Sequence, residues 1–414
     1  MRYVIAGAGP AGVTAAETLR ALEPGASIAL VNGEATPPYA RMALPYVIGG
    51  AIEPSGAHLR QRPGFFDELH IELVADRVVA TSLGDGRLKL ASGATLGFDR
   101  LLVATGVRPK APTYPGLDVE GVDTCWTMED ARRITARCTR GARVVLIGAG
   151  FVACIILKAL LARGARVTVV TGSSGQLVRT MLCRRASELL TRWCVAEKDV
   201  AIVRGEGIAG IDRGPVVALK SGKHLEADAV VIATGVEPNL ELLEGTGIAT
   251  EEGVVVDDHF LCPSTARGAR VYAAGDVAQG PSFGAKARRV HPIHPIAVEH
   301  GRMAALNMAG RETAYHGGLQ MNVLDTAGLA SFSFGRWSDT EQDLVDAEDA
   351  ARYRFIRLCF EGDRLVGANG VGFDREVGAL RGLIQTRAAL GGWKAKLRDN
   401  PFRFAEAFVA RLHS

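Results

Sequence analysis

The chain opens with an apolar strand that runs into a glycine-rich turn and then into a helix. Residues 3–6 form the predicted strand, residues 7–12 read Gly-Ala-Gly-Pro-Ala-Gly, and a second apolar strand follows at 27–31. The same order returns at the strand 143–147, followed by Gly-Ala-Gly-Phe-Val-Ala, a helix and the strand 166–170. The pattern predicts two βαβ units with parallel strands.

Two further segments repeat one another. Residues 99–109 and 228–238 are each an apolar strand followed by Ala-Thr-Gly-Val, one charged residue and Pro. We interpret them as crossings between two nucleotide-binding domains. Residues 271–277 contain another apolar strand, which ends in Gly-Asp, and Pro295 begins a predicted helix through Met308;.

The pattern changes in the last part of the chain. Strands are predicted at 355–360 and 364–370, and a helix at 375–390. The final helix is signalled by Asn400 as its N-cap, by Pro401 at its first position and by apolar side chains every four residues;. We expect this apolar stripe to pack on the domain's own sheet rather than on a membrane.

Length and composition narrow the class of protein. The 414 residues suffice for two or three domains, and 48% hydrophobic with 22% charged residues disfavours disorder and coiled coil;. A net charge of +3 is too small for a dedicated nucleic-acid binder;. The 49 glycines show no period, so they indicate many tight turns and not a fibrous repeat;.

The seven cysteines include no close pair, which excludes a zinc ribbon or a local redox disulfide and favours a reducing, cytoplasmic setting;. We expect no targeting segment, because glycines interrupt the apolar run at the N-terminus. The apolar stretch 144–162 contains Lys158 and a Gly-x-Gly, so it is interpreted as a buried strand, turn and helix and not as a membrane span;.

The first glycine turn has the spacing that binds a dinucleotide pyrophosphate. Gly7 makes the turn, Gly9 lets phosphates approach the backbone, and Gly12 lets the helix pack on the strand. An acceptor for ribose hydroxyls is expected after the second strand, where Asn32 and the stronger acceptor Glu34 stand;. The alternative, a purely structural turn, is disfavoured by the strand and helix on either side.

Together the motifs GAGPAG, ATGVRP, GAGFVA, ATGVEPN and YAAGDV resemble the FAD-dependent pyridine nucleotide-disulphide oxidoreductases, in particular the ferredoxin, rubredoxin and nitrite reductase branch. The resemblance implies an α/β fold with two Rossmann-like domains of the glutathione reductase type and a smaller α+β C-terminal domain. It implies an FAD domain at 1–110 and 247–325, an NAD(P) domain at 111–246 and an interface domain at 326–414. The interface domain allows a homodimer.

The resemblance also implies which residues bind the cofactors, and it implies no catalytic side chain and no metal ligand. Arg41 is expected near the pyrophosphate and Asp276 at the ribityl chain, and amides near Ala297 and Val298 are expected to face the flavin C2 carbonyl. The residues expected to bind FAD are Gly7, Gly9, Pro10, Ala11, Gly12, Asn32, Glu34, Arg41, Ala104, Thr105, Gly106, Gly275, Asp276, Pro295 and Ala297. Those expected to bind the nicotinamide nucleotide are Gly148, Gly150, Phe151, Val152, Thr171 and Gly235.

The sequence differs from that of the family at the position of the redox-active cysteine. Residues 42–50 resemble the redox segment of the CoA-disulphide reductase and NADH oxidase branch, but Met42 stands in place of the cysteine. A thioether cannot form the thiolate that such chemistry requires. Pro45 and Ile155 stand where the ferredoxin reductase branch commonly has a lysine and a glutamate.

A second departure concerns the nicotinamide nucleotide. Thr171 stands where NADH-using relatives usually have a carboxylate, so we expect weak discrimination against NADPH;. Ser173, Ser174 and Arg179 are available to a 2′-phosphate. Use of NADH is an alternative, in which hydroxyl groups of the protein contact the ribose. The other alternative, a site that no longer binds a nicotinamide nucleotide, is disfavoured because the glycines of the second turn are present.

The sequence therefore predicts an oxidoreductase that uses FAD and NAD(P)H, in which a hydride passes from nicotinamide C4 to flavin N5. Without an internal disulfide or metal motif, its expected partner is a small electron carrier of the ferredoxin or rubredoxin type, and neither nucleic acid nor a membrane is expected. The alternative is an FAD-binding subunit or redox-responsive binding module of a larger complex that does not turn over NAD(P)H.

Overall fold

The computed structural model describes residues 1–263, 270–285 and 287–412. The chain divides into two compact units. The first comprises Met1–Leu44, Ile52–Arg108 and Val236–Gly318, and the second comprises Pro45–Ala51, Pro109–Gly235 and Leu319–Ser414. The division into three domains stays a prediction.

The first unit is built on a parallel sheet with two helices packed together beside it. Its strands are β1 (Arg2–Ala6), β2 (Ser27–Val31), β3 (Ile71–Val74), β7 (Arg100–Val103) and β19 (Arg270–Ala273). Their order in the sheet is β19, β7, β1, β2, β3. Helices α1 (Pro10–Leu22) and α7 (His294–Met308) approach so closely that a Cβ on Gly301 would lie 2.1 Å from the carbonyl oxygen of Ala11.

Smaller elements complete this unit. The antiparallel sheet comprises β4 (Val78–Ser82), β5 (Arg87–Leu90) and β6 (Thr95–Gly97). A second small sheet comprises β18 (Val254–Val255), β20 (Ala278–Pro281) and β21 (Arg288–Val290), and a ribbon pairs β8 (Val107–Pro109) with β17 (Val236–Pro238). The short helices are α2 (Leu44–Ile48), which continues into the second unit, and α3 (Phe65–Glu68).

The second unit repeats the parallel architecture. The strands of its sheet are β9 (Val122–Thr124), β10 (Arg143–Ile147), β11 (Arg166–Val170), β12 (Ala201–Val203) and β16 (Ala229–Ile232). Their order in the sheet is β12, β11, β10, β16, β9. The helices are α4 (Met128–Arg137), α5 (Phe151–Ala162) and α6 (Arg184–Lys198), and an antiparallel sheet comprises β13 (Ile208–Asp212), β14 (Val216–Leu219) and β15 (His224–Glu226).

The same unit contains an antiparallel sheet from the last part of the chain. Its strands are β22 (Met321–Thr326), β23 (Leu329–Gly335), β24 (Leu344–Asp349), β25 (Arg354–Glu361) and β26 (Arg364–Val371). Their order in the sheet is β22, β23, β26, β25, β24. The side chain of Asn369 joins this sheet to the loop before α6, because it accepts from the amide of Cys183 at 3.1 Å and donates to the carbonyl of Met181 at 2.5 Å.

The C-terminal helices are α8 (Val377–Thr386), α9 (Gly392–Asp399) and α10 (Phe404–Leu412). The predicted helix 375–390 is too long, because Glu376 and Arg387 adopt left-handed backbone conformations that end it on both sides;. Asn400 does cap, but what it caps is a single 3-10 turn, and α10 begins only after that turn. Within the described ranges, no helix is both long enough and apolar enough to cross a membrane.

Candidate functional site

The first glycine turn fits the prediction that each glycine has its own role. Gly7 has φ +116°, and a Cβ there would lie 2.2 Å from the carbonyl oxygen of Ala104. A Cβ on Gly12 would lie 1.9 Å from the carbonyl oxygen of Gly7, whereas a Cβ on Gly9 would meet nothing within 4 Å. Gly7 and Gly12 are therefore required by the protein itself, and the space beside Gly9 is open to a ligand.

Helix α1 begins at this open space. Gly9 is its N-cap and Pro10 its first residue, and no side chain in the described ranges caps the helix. The amide of Val13 makes the first intrahelical bond, to the carbonyl of Gly9, so the amides of Ala11 and Gly12 lack intrahelical partners;. Such amides at a helix N-terminus suit a pyrophosphate.

The residues expected at the ribose and pyrophosphate form one polar network. Arg41 makes an ion pair with Glu34 and donates to the hydroxyl of Tyr39 at 2.9 Å, and that hydroxyl donates to Glu34 at 2.7 Å. The side-chain amide of Asn32 donates to the carbonyls of Glu34 and Thr36, at 3.1 and 2.9 Å. Asn32 thus shapes the loop that presents Glu34, and Arg41 holds the carboxylate in place.

Asp276 stands in a turn between the N-termini of α1 and α7. A Cβ on the preceding Gly275 would lie 3.0 Å from the Cβ of Ala11 and 3.7 Å from that of Ala297. Across the residues that the structure describes, no donor is bonded to the Asp276 carboxylate. Burial raises the pKa of Asp276 to about 6, although the positive charge of Arg41 opposes this rise. A half-buried carboxylate to which no described donor is bonded fits hydroxyl groups such as those of a ribityl chain;.

The first turn of α7 corrects one detail of the expected flavin contact. The amide of Ala297 donates to the carbonyl of Ile293 at 2.9 Å, because the fourth amide of a helix reaches its N-cap carbonyl;. Pro295 has no amide hydrogen, so the amides of His294 and Ile296 are the donors left at this end of the helix. Burial lowers the pKa of His294.

The Ala-Thr-Gly segment after β7 is tied to the segment after β17. The Thr105 hydroxyl donates to the Asn239 carbonyl at 2.9 Å, and the Asn239 side chain donates to the Thr105 carbonyl at 2.8 Å. The Asn239 amide donates to the carbonyl of Gly106 at 3.0 Å. Because Ala104 also supplies the carbonyl that Gly7 approaches, these contacts support the first glycine turn.

The second glycine turn repeats the geometry of the first. Gly148 has φ +116°, and a Cβ there would lie 2.2 Å from the carbonyl oxygen of Ala233, while Gly150 has nothing within 4 Å. Phe151 and Val152 open α5, and Val152 is exposed. Gly235, like Gly148, has a positive φ, +117°. The open side of this turn therefore also fits a phosphate group.

Thr171, predicted at the ribose, is only 7% exposed. Its hydroxyl lies 3.3 Å from the carbonyl oxygens of Gly172 and Val203 and accepts from the amide of Gly205 at 3.4 Å. The Thr171 side chain therefore joins the C-terminal end of β11 to that of β12 through hydrogen bonds. Its contact with the nucleotide stays a prediction. Ser173, Ser174 and Arg179 are exposed.

Sequence reasoning missed Arg204, which follows β12. Its guanidinium Nε donates to the carbonyl of Gly175 at 2.8 Å, so it lies against the loop that follows β11. No local motif marks this residue, because its place depends on β12 lying next to β11 in the sheet.

The burial of the cysteine thiols argues against a redox role for them. All seven cysteines are free and buried, and Met42 is 54% exposed. Desolvation raises the pKa of Cys154 and of Cys194 to about 12, which keeps both protonated at neutral pH;. Within the described ranges, no group of three or more His, Cys, Asp or Glu side chains is placed to hold a metal ion.

Comparison with known proteins decides the family. The family model described as pyridine nucleotide-disulphide oxidoreductase matches residues 1–301. The chain belongs to this family. The predicted family, its α/β fold with Rossmann-like domains and its cofactors FAD and NAD(P)H are thereby confirmed.

Three relatives show how far the likeness extends. The chain is 28% identical to the NADH-dependent phenylglyoxylate dehydrogenase subunit epsilon of Aromatoleum evansii, over 99% of this chain and 97% of that protein. It is 29% identical to rhodocoxin reductase of Rhodococcus erythropolis, over 98% and 95%. The structure of the ferredoxin reductase for the CYP199A2 system of Rhodopseudomonas palustris matches with a TM-score of 0.84 and 25% identity, over 94% of this chain and 95% of that one.

As a member of the pyridine nucleotide-disulphide oxidoreductases, the chain offers residues that fit each cofactor. The open sides of Gly9 and Gly150 suit phosphates, and among the residues that the structure describes no donor is bonded to the carboxylate of Asp276;. The assignment of individual residues to individual cofactor atoms stays a prediction.

Proposed function

We propose that this FAD- and NAD(P)H-dependent oxidoreductase passes its electrons to a small carrier protein of the ferredoxin or rubredoxin type, and that no cysteine takes part. When bound, FAD can accept a hydride from the nicotinamide and release the electrons singly. Relatives along the whole chain support this acceptor, because one is named rhodocoxin reductase and another ferredoxin reductase.

The protein's part in this reaction is to bind FAD and to orient it. The amides of Ala11 and Gly12 bind the pyrophosphate, and Glu34, held by Arg41, accepts from a ribose hydroxyl. Asp276 accepts from the ribityl chain. The two amides of the first turn of α7 stabilise negative charge at the edge of the flavin. No side chain has to move a proton for a hydride to pass.

The observation that carries the proposal is the exposed thioether of Met42 at the position of the family's redox cysteine. A thiol mechanism would need an accessible thiolate there, and all seven cysteines are buried;. Electrons that reach the flavin therefore have no disulfide to reduce in this chain and must leave to an external acceptor.

The test is a sequential anaerobic mixing experiment on the purified holoenzyme. NADPH or NADH is expected to bleach the oxidised flavin band, and addition of an oxidised ferredoxin or rubredoxin is expected to restore it. Ferricyanide, which needs no docking surface, serves as the control acceptor. If ferricyanide restores the band and neither carrier does so, the proposed acceptor is wrong while flavin reduction stands.

One relative favours a second candidate, in which the chain is the flavoprotein subunit of a larger oxidoreductase. The relative from Aromatoleum evansii carries the name of a subunit and spans nearly the whole chain. In this case the purified chain would fail to reduce any free carrier but would do so with its partner subunits present. A cytoplasmic location and a homodimer stay predictions, to be checked by fractionation and by sedimentation.

A further inference from the structure

Asn369 lies in β26, the central strand of the antiparallel sheet formed by β22–β26, here called the C-terminal sheet, and its side chain is fully buried. Its oxygen accepts from the amide of Cys183 at 3.1 Å, and its nitrogen donates to the carbonyl of Met181 at 2.5 Å. An amide side chain carries an acceptor and donors in one plane, so it can bond both main-chain groups. An ionised carboxylate or an aliphatic side chain of the same size could not bond both.

The main-chain partners of Asn369 belong to the segment 177–183, which leads into α6. The amide of Met181 donates to the carbonyl of Val178 at 2.8 Å. The buried hydroxyl of Ser187, in α6, donates to the carbonyl of Leu177 at 2.7 Å. Hydrogen bonds therefore tie the segment together, and a shift at Met181 would be passed on to Val178.

The segment 177–183 is bonded to the second glycine turn. The amide of Val178 donates at 2.6 Å to the carbonyl of Ala149, which lies between Gly148 and Gly150. Val178 has φ +49°, which is unfavourable for a β-branched side chain and persists only where the surrounding structure enforces it;. A chain of hydrogen bonds thus leads from Asn369, through the segment, to the turn that is expected to bind the nucleotide.

Other contacts between the C-terminal sheet and the helices of this unit lie at the surface. Lys158 of α5 donates to Asp325 at 2.7 Å, and Tyr353 donates to Glu197 of α6 at 2.9 Å. Contacts between exposed side chains contribute little, because water competes for the same groups. Loss of the Asn369 side chain has a larger cost, since it leaves a buried amide and a buried carbonyl without their partner.

We propose that Asn369 is a positioning residue for the nicotinamide nucleotide, which fixes the segment 177–183 and, through Val178, the second glycine turn. The C-terminal sheet thereby contributes to nucleotide binding without a side chain that touches the ligand. The inference rests on the proposed function in one respect, because it assumes that the second glycine turn binds the nicotinamide nucleotide.

The experiment measures binding without turnover. The holoenzyme is titrated calorimetrically with ADP-ribose, which contains the pyrophosphate of the nucleotide but no nicotinamide. Asn369→Ala is expected to raise the Kd for ADP-ribose by about fivefold or more. Asn369→Ser should raise it in the same direction, because a serine hydroxyl is too short to reach both main-chain groups.

Rapid mixing with NADH and with NADPH separates positioning from general damage. In Asn369→Ala the nucleotide concentration that half-saturates flavin reduction should rise by the same factor as the Kd for ADP-ribose. The limiting rate of flavin reduction and the flavin content should stay nearly unchanged, because the substitution removes no group that contacts either cofactor.

The matched control is Ser331→Ala, in β23 of the same sheet. The buried hydroxyl of Ser331 donates to the carbonyl of Leu324 at 3.2 Å, within the sheet itself. This variant should lower the melting temperature, as Asn369→Ala does, and bind ADP-ribose as the wild type does.

An unchanged Kd in Asn369→Ala would overturn the inference, as would an equal rise in Ser331→Ala or a parallel loss of flavin. If Asn369→Ala does not fold, Asn369→Ser decides by the same criteria. Failure of the wild type to bind ADP-ribose would also overturn the inference. The proposed function would then survive if NADH or NADPH still bleached the flavin, and it would fail if neither did.

Discussion

The backbone of Gly7 approaches that of Ala104 so closely that a Cβ on Gly7 would lie 2.2 Å from the Ala104 carbonyl oxygen. Gly148 and Ala233 repeat the relationship at the same 2.2 Å. In both halves, therefore, the glycine turn is packed against the Ala-Thr-Gly segment that follows another strand of the same sheet. The glycine turn and the Ala-Thr-Gly segment therefore form one structural motif, which occurs once in each unit.

Replacement by alanine should have different effects at the glycines with free space beside them, Gly9 and Gly150, and at those packed against a backbone carbonyl, Gly7 and Gly148. Gly7→Ala should lower the stability by at least about 1–3 kcal/mol, because the left-handed backbone and the clash with Ala104 both oppose it. Gly9→Ala, at a residue with φ −75° and empty surroundings, should leave the melting temperature of the apoprotein nearly unchanged but reduce the amount of bound flavin;. Melting curves and the flavin-to-protein absorbance ratio check both. Full flavin content in Gly9→Ala would contradict the assignment of this space to the pyrophosphate.

Asp276 should make FAD binding depend on pH. Burial raises the pKa of its carboxyl to about 6 in the folded protein, from 3.8, so this group stabilises the folded apoprotein below the lower value and loses that contribution as the pH rises through 6;. Hydroxyl donors favour the ionised carboxylate, so FAD binding should release a proton. The affinity of the apoprotein for FAD is therefore expected to increase as the pH rises through 6.

Fluorescence titrations with FAD at several pH values measure this dependence. Asp276→Asn should flatten it, whereas Asp85→Asn, in an exposed turn of the same unit, should leave it as it is. An affinity that is highest at acid pH, or a slope that survives in Asp276→Asn, would show that this carboxyl does not face the cofactor.

Alkylation should leave flavin reduction intact. The seven cysteines are buried, and burial raises the pKa of Cys125 and of Cys359 to about 12 and that of Cys138 to about 11. Iodoacetamide should therefore react slowly with the native protein and with all seven thiols only in denaturant. Mass spectrometry counts the labels. Loss of flavin reduction in step with the labelling of one cysteine would refute the thiol-free account.

Thr171→Glu should shift the nucleotide preference toward NADH. A carboxylate at this strand end would stand next to Arg204, repel a 2′-phosphate and accept from a ribose hydroxyl, so kcat/KM for NADH relative to NADPH should rise by about tenfold. Thr171→Ser keeps the hydroxyl that bonds the backbone and is the matched control. An unchanged ratio in Thr171→Glu, with an unchanged melting temperature, would place the ribose elsewhere.

The βαβ units could be predicted from sequence because their apolar runs are long and their glycines stand between strand and helix. The strand predicted at residues 3–6 is Arg2–Ala6, and those predicted at 27–31 and 143–147 agree to the residue. Helix α4 was missed although its signal was present: Thr127 and Asp130 form a capping box;.

Contacts between distant segments could not be predicted in this way. Nothing in the local sequence indicates that Arg41 pairs with Glu34, or that Arg204 reaches the carbonyl of Gly175, because both depend on how loops fold back after strands. Thr171 was correctly placed after the second strand of its unit, but its hydrogen bonds to the end of β12 follow from the strand order, which propensity and periodicity do not specify;.

The most direct test of the central claim is an anaerobic reductive titration of the holoenzyme with NADPH or NADH, followed by absorbance. The account predicts complete bleaching of the flavin after uptake of two electrons per FAD, with no absorbance band from a thiolate beside the flavin. Uptake of four electrons per FAD would reveal a second redox centre, and no bleaching with either nucleotide would show that the flavin takes no hydride. Each of these two results would contradict the account.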